Sequence, residues 1–124
     1  MKINVFVVSK VSDDVGSIAV GCYCDDQKFE RSYKIPNCKS VNQASAMATL
    51  FALNCFSSAA EVSLNVNNRY MIGMLDHDDN GWLKAANANA DIIADIRAKV
   101  DSFKKFEVKY DRNSKEITSL NSSI

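Results

Sequence analysis

The single histidine, His77, stands in the acidic run DHDDNG (76–81), flanked by Asp76, Asp78 and Asp79. Clustered carboxylates suit a hard cation such as Ca²⁺. A calcium loop, however, needs alternating D-x-D-x-D-G with a distal Glu, and that spacing is missing. The run therefore reads as a solvated acidic turn. His77 alone builds no catalytic triad, and no G-x-S-x-G nucleophile elbow occurs. The four cysteines, Cys22, Cys24, Cys38 and Cys55, lack the paired C-x2-4-C motifs or His partners of a zinc site. They read as reduced thiols acting as small hydrophobes. The four glycines are spread apart and make no phosphate-cradling loop. Lys104, Lys105, Lys109, Arg112 and Lys115 cluster late in the chain. With Trp82 and Tyr110 near them they would make a modest nucleic-acid surface. Glu107, Asp111 and Glu116 dilute it, and an exposed mixed-charge face accounts for the same residues.

Composition narrows the classes further. The 124 residues suit one domain spanning 1–124, and a 47% hydrophobic content supports a core without a staple or metal. Charge is balanced, 15 basic against 15 acidic residues. This argues against a strongly electrostatic nucleic-acid binder, because neutralising phosphates needs a cationic face. MKINVFVVSK holds only a short apolar run with Asn4 inside it, which suits a strand rather than a signal peptide. No run reaches the roughly 18 apolar residues of a membrane span. A reducing cytoplasm is the expected setting. High Asn, Lys, Ser and Ile content suits an AT-rich genome such as that of a bacteriophage or a low-GC bacterium.

These residues are carried by a legible order of elements. Lys2–Ser9 is an apolar run rich in Val, read as a central strand. Residues 12–16 turn, and Ser17–Cys24 is a second strand with Cys22 and Cys24 on one side. Residues 25–28 make a hairpin turn, and Phe29–Ile35 alternates as a third strand. Ser40-Val41-Asn42-Gln43 fits a capping box that opens a helix running to about Phe56. Its Ala-rich face allows close approach to a sheet. Glu61–Val66 is a fourth strand, parallel to its neighbour because a long helix precedes it. A short helix over 68–75, the polar loop 76–81, and a second long helix capped by Asn89 follow. That helix carries the stripe Ile92, Ile93, Ile96, Val100 and Phe103. Lys105–Tyr110 alternates as a fifth strand, and the tail 114–124 forms a short helix or frays. The fold class is α/β: order β-β-β-α-β-α-β(-α), with a five-stranded mixed sheet flanked by helices. An open edge of such a sheet is a site for pairing two copies.

Four segments in this order resemble the ribonuclease H family over almost the whole chain. VNQASAMATLFAL (41–53) looks like the family's first helix, and EVSLNVNNRYMIGML (61–75) is similar to its fourth strand and short helix. GWLKAANANADII (81–93) is similar to the stretch before its last long helix. FKKFEVKYDRNSKEITSL (103–120) looks like its closing segment. The family cuts the RNA strand of RNA–DNA hybrids with acids that hold two Mg²⁺. The resemblance carries those acids to Ser9, Ser45, Asn67 and Thr118, none of which is acidic. Mg²⁺ is a hard cation that seldom gives up its waters to neutral ligands. The family's glycine after the first acid is replaced by Lys10, whose charge would repel Mg²⁺ further.

The resemblance thus implies a pseudoenzyme, with no catalytic residues, no metal and no cofactor. It would act by binding, chiefly to an unidentified protein partner as a regulator or inhibitor. One alternative is a non-cleaving module for an RNA–DNA hybrid or duplex. In the family, the region holding Lys84, Asn87 and Asn89 grips the hybrid backbone, and Lys104, Lys105, Lys109 and Arg112 would extend that surface. Another alternative is a nuclease with a displaced acidic site, in which Asp13, Asp14 or Asp111 restores an acidic pair. The plainest account makes Ser45 a helix surface position, Asn67 a strand-end turn former, and Thr118 a residue without a role.

Overall fold

The computed structural model describes residues 1–76 and 81–124, together with the backbone but not the side chains of Gly81, Lys84 and Asn87. Strands β1 (Lys2–Ser12), β2 (Val15–Cys24) and β3 (Gln27–Ile35) form an antiparallel meander. β4 (Glu61–Val66) lies parallel to β1, and β5 (Lys105–Tyr110) lies parallel to β4. The sheet order is β3-β2-β1-β4-β5, a mixed sheet with β3 and β5 at its edges.

The turns are tighter than the sequence suggests. Ser12 pairs with Val15, which leaves only Asp13 and Asp14 in the first turn, both with positive φ (54° and 60°). Such two-residue turns match the right-handed twist of their strands, so the ladder continues almost to the loop. β1 therefore runs past the expected end at Ser9. The second hairpin likewise turns on Asp25 and Asp26, since Cys24 already pairs with Gln27.

Four helices cover one face of the sheet. α1 (Val41–Leu53) opens as expected: the Ser40 hydroxyl accepts from the Gln43 N–H, and Gln43 Oε1 accepts from the Lys39 N–H. It ends at Leu53, short of Phe56, with Asn54 closing the last turn. α2 (Arg69–Leu75), α3 (Gly81–Ala86) and α4 (Ala90–Ser102) follow. α3 starts at Gly81, the last residue of the expected polar loop, and fills a stretch to which the sequence assigned no element; Trp82 and Ala86, one turn apart, pack toward the core, while Leu83 is 55% exposed. Residues 77–80, including His77, lie outside the described residues. Asn89 sits before α4 but its side chain makes no capping bond. Its amide donates instead to the Tyr70 hydroxyl, 3.3 Å away.

Alternation along the strands sorts the two faces. Ile3, Val5 and Val7, Ile18 and Val20, and Val62, Leu64 and Val66 pack with Ala44, Ala48, Leu53, Met71, Ile93 and Ile96 in the main core. The tail forms α5 (Lys115–Ser122), which lies against the other face. There Ile117 and Leu120 meet Val8 and Ala19 in a smaller cluster. Among the described residues no helix is long and apolar enough to cross a membrane.

Candidate functional site

The carboxyl-terminal ends of the two central parallel strands create the natural crevice of this sheet. The β1–β4 ladder ends at Val7↔Val66, and the Asn67 N–H extends it to the Val7 carbonyl at 3.4 Å. Ser9 lies two residues beyond Val7 and shares its face, the one covered by α1. Asn68 then caps α2 by accepting from the Tyr70 N–H at 2.7 Å. Its amide also donates to Asn42 Oδ1 at 3.2 Å, tying the start of α2 to the first turn of α1. Ser45 follows Asn42 by three residues, so it stands on the same side of α1, one turn on. Ser9, Ser45 and Asn67 are thus gathered around one end of the β1–β4 pair.

Their chemistry is neutral. Ser45 is fully buried and Ser9 nearly so, and neither hydroxyl has a hydrogen-bond partner among the described residues. Ser45 is therefore no surface position. A buried hydroxyl without a partner is costly, because it loses water and gains nothing in return. Asn67 is half-buried at the strand end. Thr118 is exposed on α5, which packs on the opposite face of the sheet from α1. Two hydroxyls and an amide supply no charge to displace waters from Mg²⁺, so these residues do not fit a two-metal centre.

Lys10 corrects an expectation. Alternation turns it away from Ser9 and toward α5, where its ammonium donates to the Asn121 carbonyl at 3.1 Å. A second contact reaches the Ile124 carbonyl at 3.5 Å. It serves the carbonyl end of a helix, where positive charge is favourable.

Of the acids considered as replacements, Asp111 and Asp14 already have partners. Asp111 does lie beside the strand end, because its N–H donates to the Val66 carbonyl at 2.8 Å. Its Oδ1 accepts from the Asn113 and Ser114 N–H groups at 3.1 and 3.0 Å, building the turn into α5. Partial desolvation pushes its pKa up, but hydrogen bonds from Ser114 and Asn113 outweigh this and hold it below the usual carboxylate range. Asp13 and Asp14 occupy the first hairpin, and Asp14 pairs with Lys39 at 3.2 Å. Among the described residues no three His, Cys, Asp or Glu side chains come together to hold a metal.

The late basic cluster is divided by the sheet. On β5, Phe106 and Val108 face the main core, so Lys105, Glu107 and Lys109 face the other way. They line an open basin of about 680 Å³ with Lys2, Asn4 and Ser63, on a part of the sheet α5 leaves bare. Charges alternate there: Lys105 pairs with Glu61 at 3.7 Å and Lys109 with Glu107 at 3.2 Å. The Ser63 hydroxyl, then Lys109, hold the Glu107 pKa below its ordinary value. Lys104 and Arg112 are exposed. Trp82 and Tyr110 belong to the opposite, helix-covered side: Arg97 lies over the Trp82 ring and Arg69 over the Tyr110 ring. Asn89 stays on that side as a half-buried prop for Tyr70, while the side chains of Lys84 and Asn87 lie outside the described residues.

All four cysteines are free. Burial first, and the nearby Cys55 second, push the Cys22 thiol up to about 12. A thiol held neutral in this way is a poor nucleophile.

No family model matches the sequence, and no curated protein matches it. Solved structures do resemble it. The N-terminal ribonuclease H domain of Rv2228c from Mycobacterium tuberculosis, solved as a fusion with maltose binding protein, superposes with a TM-score of 0.74 at 8% identity, covering 98% of this chain and 95% of that one. Ribonuclease H1 from the halophilic archaeon Halobacterium salinarum NRC-1 gives 0.67 at 11% identity, covering 97% and 91%. With its mixed five-stranded sheet, helix-covered face and closing helix, this chain has the ribonuclease H-like fold.

Proposed function

We propose that this chain uses a ribonuclease H-like scaffold to bind rather than to cut, and that it acts on a protein partner as a regulator or inhibitor. The observation that carries this is the neutral strand end: Ser9, Ser45 and Asn67 stand where the sequence resemblance puts metal-binding acids, and both serine hydroxyls are buried without partners among the described residues. A protein partner is favoured over nucleic acid by charge. The chain is neutral overall, and Lys105 and Lys109 already face carboxylates, which weakens them as phosphate contacts.

The test is incubation of the purified chain with an RNA–DNA hybrid in Mg²⁺ or Mn²⁺, beside a thermal melt in each ion. Intact hybrid and an unmoved melting temperature are expected. Cleavage together with metal stabilisation would sink the proposal and favour a displaced acidic site. Salt-sensitive binding of the uncut hybrid, weakened when Lys104, Lys105 and Lys109 become Ala, would move the reading to a nucleic-acid module.

A further inference from the structure

Among the described residues, strand β3 is the open antiparallel edge of the sheet. It pairs with β2 at nine successive positions, from Cys24↔Gln27 to Gly16↔Ile35, without a bulge. Natural edges are usually blunted by shortness, proline, bulges or inward-pointing charge. The opposite edge, β5, is shorter and its uncovered face alternates Lys105, Glu107 and Lys109. β3 is charged as well, with Lys28, Glu30 and Lys34 on one side and Arg31 on the other, but it adds an aromatic row. Phe29 and Tyr33 are 36% and 40% exposed, and Arg31 lies between them with its guanidinium 4.3 Å from the Phe29 ring. Tyr33 meets Phe51 of α1 edge-on at 4.9 Å, and Phe51 is itself 40% exposed. An exposed aromatic row beside an open backbone edge marks an interaction surface.

Charge along the strand favours a second copy as occupant, which would draw Glu30 from Lys28, 3.5 Å away, and Lys34 from the Ser17 hydroxyl, 2.6 Å away. Side chains directly opposite in an antiparallel pair share a face, so two β3 strands can pair only in registers that match like faces. Centred on Arg31, the pairing sets Arg31 against Arg31 and Lys28 against Lys34. Centred on Glu30, it sets Glu30 against Glu30. Centred on Ser32, it sets Glu30 against Lys34 twice, Arg31 against Tyr33 twice, and Phe29 against Ile35 twice. Centred on Phe29, it sets Lys28 against Glu30 twice but leaves Tyr33 and Ile35 unpaired; of these four registers the one at Ser32 alone joins opposite charges, places a cation beside an aromatic ring and covers apolar side chains at once. The same patch then serves both subunits, as a twofold interface requires. We propose that two copies of this chain pair antiparallel through β3 about a twofold axis at Ser32, joining their sheets and covering Phe29, Tyr33 and Phe51. This does not depend on whether the chain cuts nucleic acid.

The test is sedimentation of the full chain over a range of concentrations. A reversible dimer is expected. Lys34→Glu should weaken it roughly tenfold or more, because both Glu30 contacts become repulsive. The double exchange Glu30→Lys with Lys34→Glu should restore it, which a merely misfolded variant would not do. Ser32→Cys, made with Cys55→Ser to remove the exposed native thiol, should form an intersubunit disulfide on mild oxidation, since opposed residues across a strand pair lie within disulfide reach. A chain monomeric at every concentration overturns the proposal, and leaves β3 to a strand from another protein. So does a dimer that ignores Lys34→Glu and does not cross-link through Ser32→Cys.

Discussion

The Lys10 ammonium donates to the Asn121 carbonyl at 3.1 Å, so the residue next to Ser9 in sequence works on the opposite face of the sheet. One side chain of β1 thus fastens the last turn of α5, a helix otherwise held by Ile117 and Leu120 against Val8 and Ala19. Lys10→Ala should cost about 1 kcal/mol, the usual worth of a cation at a helix carbonyl end plus its hydrogen bond. Lys10→Arg should keep most of it. The loss should appear as faster hydrogen exchange confined to α5. Unchanged exchange there would mean that the contact holds nothing.

Ser45 offers a test of the neutral site. Its hydroxyl is buried and unpartnered, so Ser45→Ala should be neutral or stabilise by up to about 1 kcal/mol. Ser45→Asp should destabilise by roughly 3 kcal/mol or more in chelator, since it buries a charge without a partner. With Ser9→Asp and Asn67→Asp added, Mn²⁺ at a hundred times its dissociation constant should return about 2.7 kcal/mol. Urea melts with and without Mn²⁺ read both effects. A triple variant indifferent to Mn²⁺ would show that these three positions do not converge closely enough to share a metal.

Asp111 should give the protein part of its acid sensitivity. Its folded-state pKa lies below the ordinary 3.8, so its contribution is present above the unfolded value and is lost as pH falls through the folded one. The stability gap between the native chain and Asp111→Asn should be flat above about pH 5 and close below it. A gap that stays constant down to the acid transition would contradict the role of the Ser114 and Asn113 bonds.

The first hairpin holds both Asp13 and Asp14 in the left-handed region. Asn-Gly suits such a turn better, because glycine has no Cβ to strain there. Asp13→Asn with Asp14→Gly should stabilise by about 1 kcal/mol, although the exposed Asp14–Lys39 pair is lost. The midpoint of urea unfolding should rise. A lower midpoint would mean that the pair outweighs the turn.

Periodicity in the sequence was enough to order the strands and long helices. Ile3, Val5 and Val7 alternate, and Ile93, Ile96 and Val100 step by three and four, so each segment carried its own signal. Elements without such a signal were missed. α3 is only six residues long, with Trp82 and Ala86 toward the core and Leu83 toward solvent, and the extra length of β1 depends on a two-residue turn that needs positive φ at two aspartates. The candidate site was legible only as a set of neutral residue types at Ser9, Ser45, Asn67 and Thr118.

The sequence by itself determined that those four positions carry no charge and that strand neighbours point to opposite sides. Only the tertiary structure decided which side receives α1 and which receives α5. That choice sends Ser9 into the helix-covered core and Lys10 to α5, buries Ser45 and leaves Thr118 exposed. It parts Lys105 and Lys109 from Trp82, and leaves the outer side of β3 without a strand among the described residues. The physical reason is that alternation is a local property of a strand, whereas the occupant of each face is set by contacts between residues far apart in the chain.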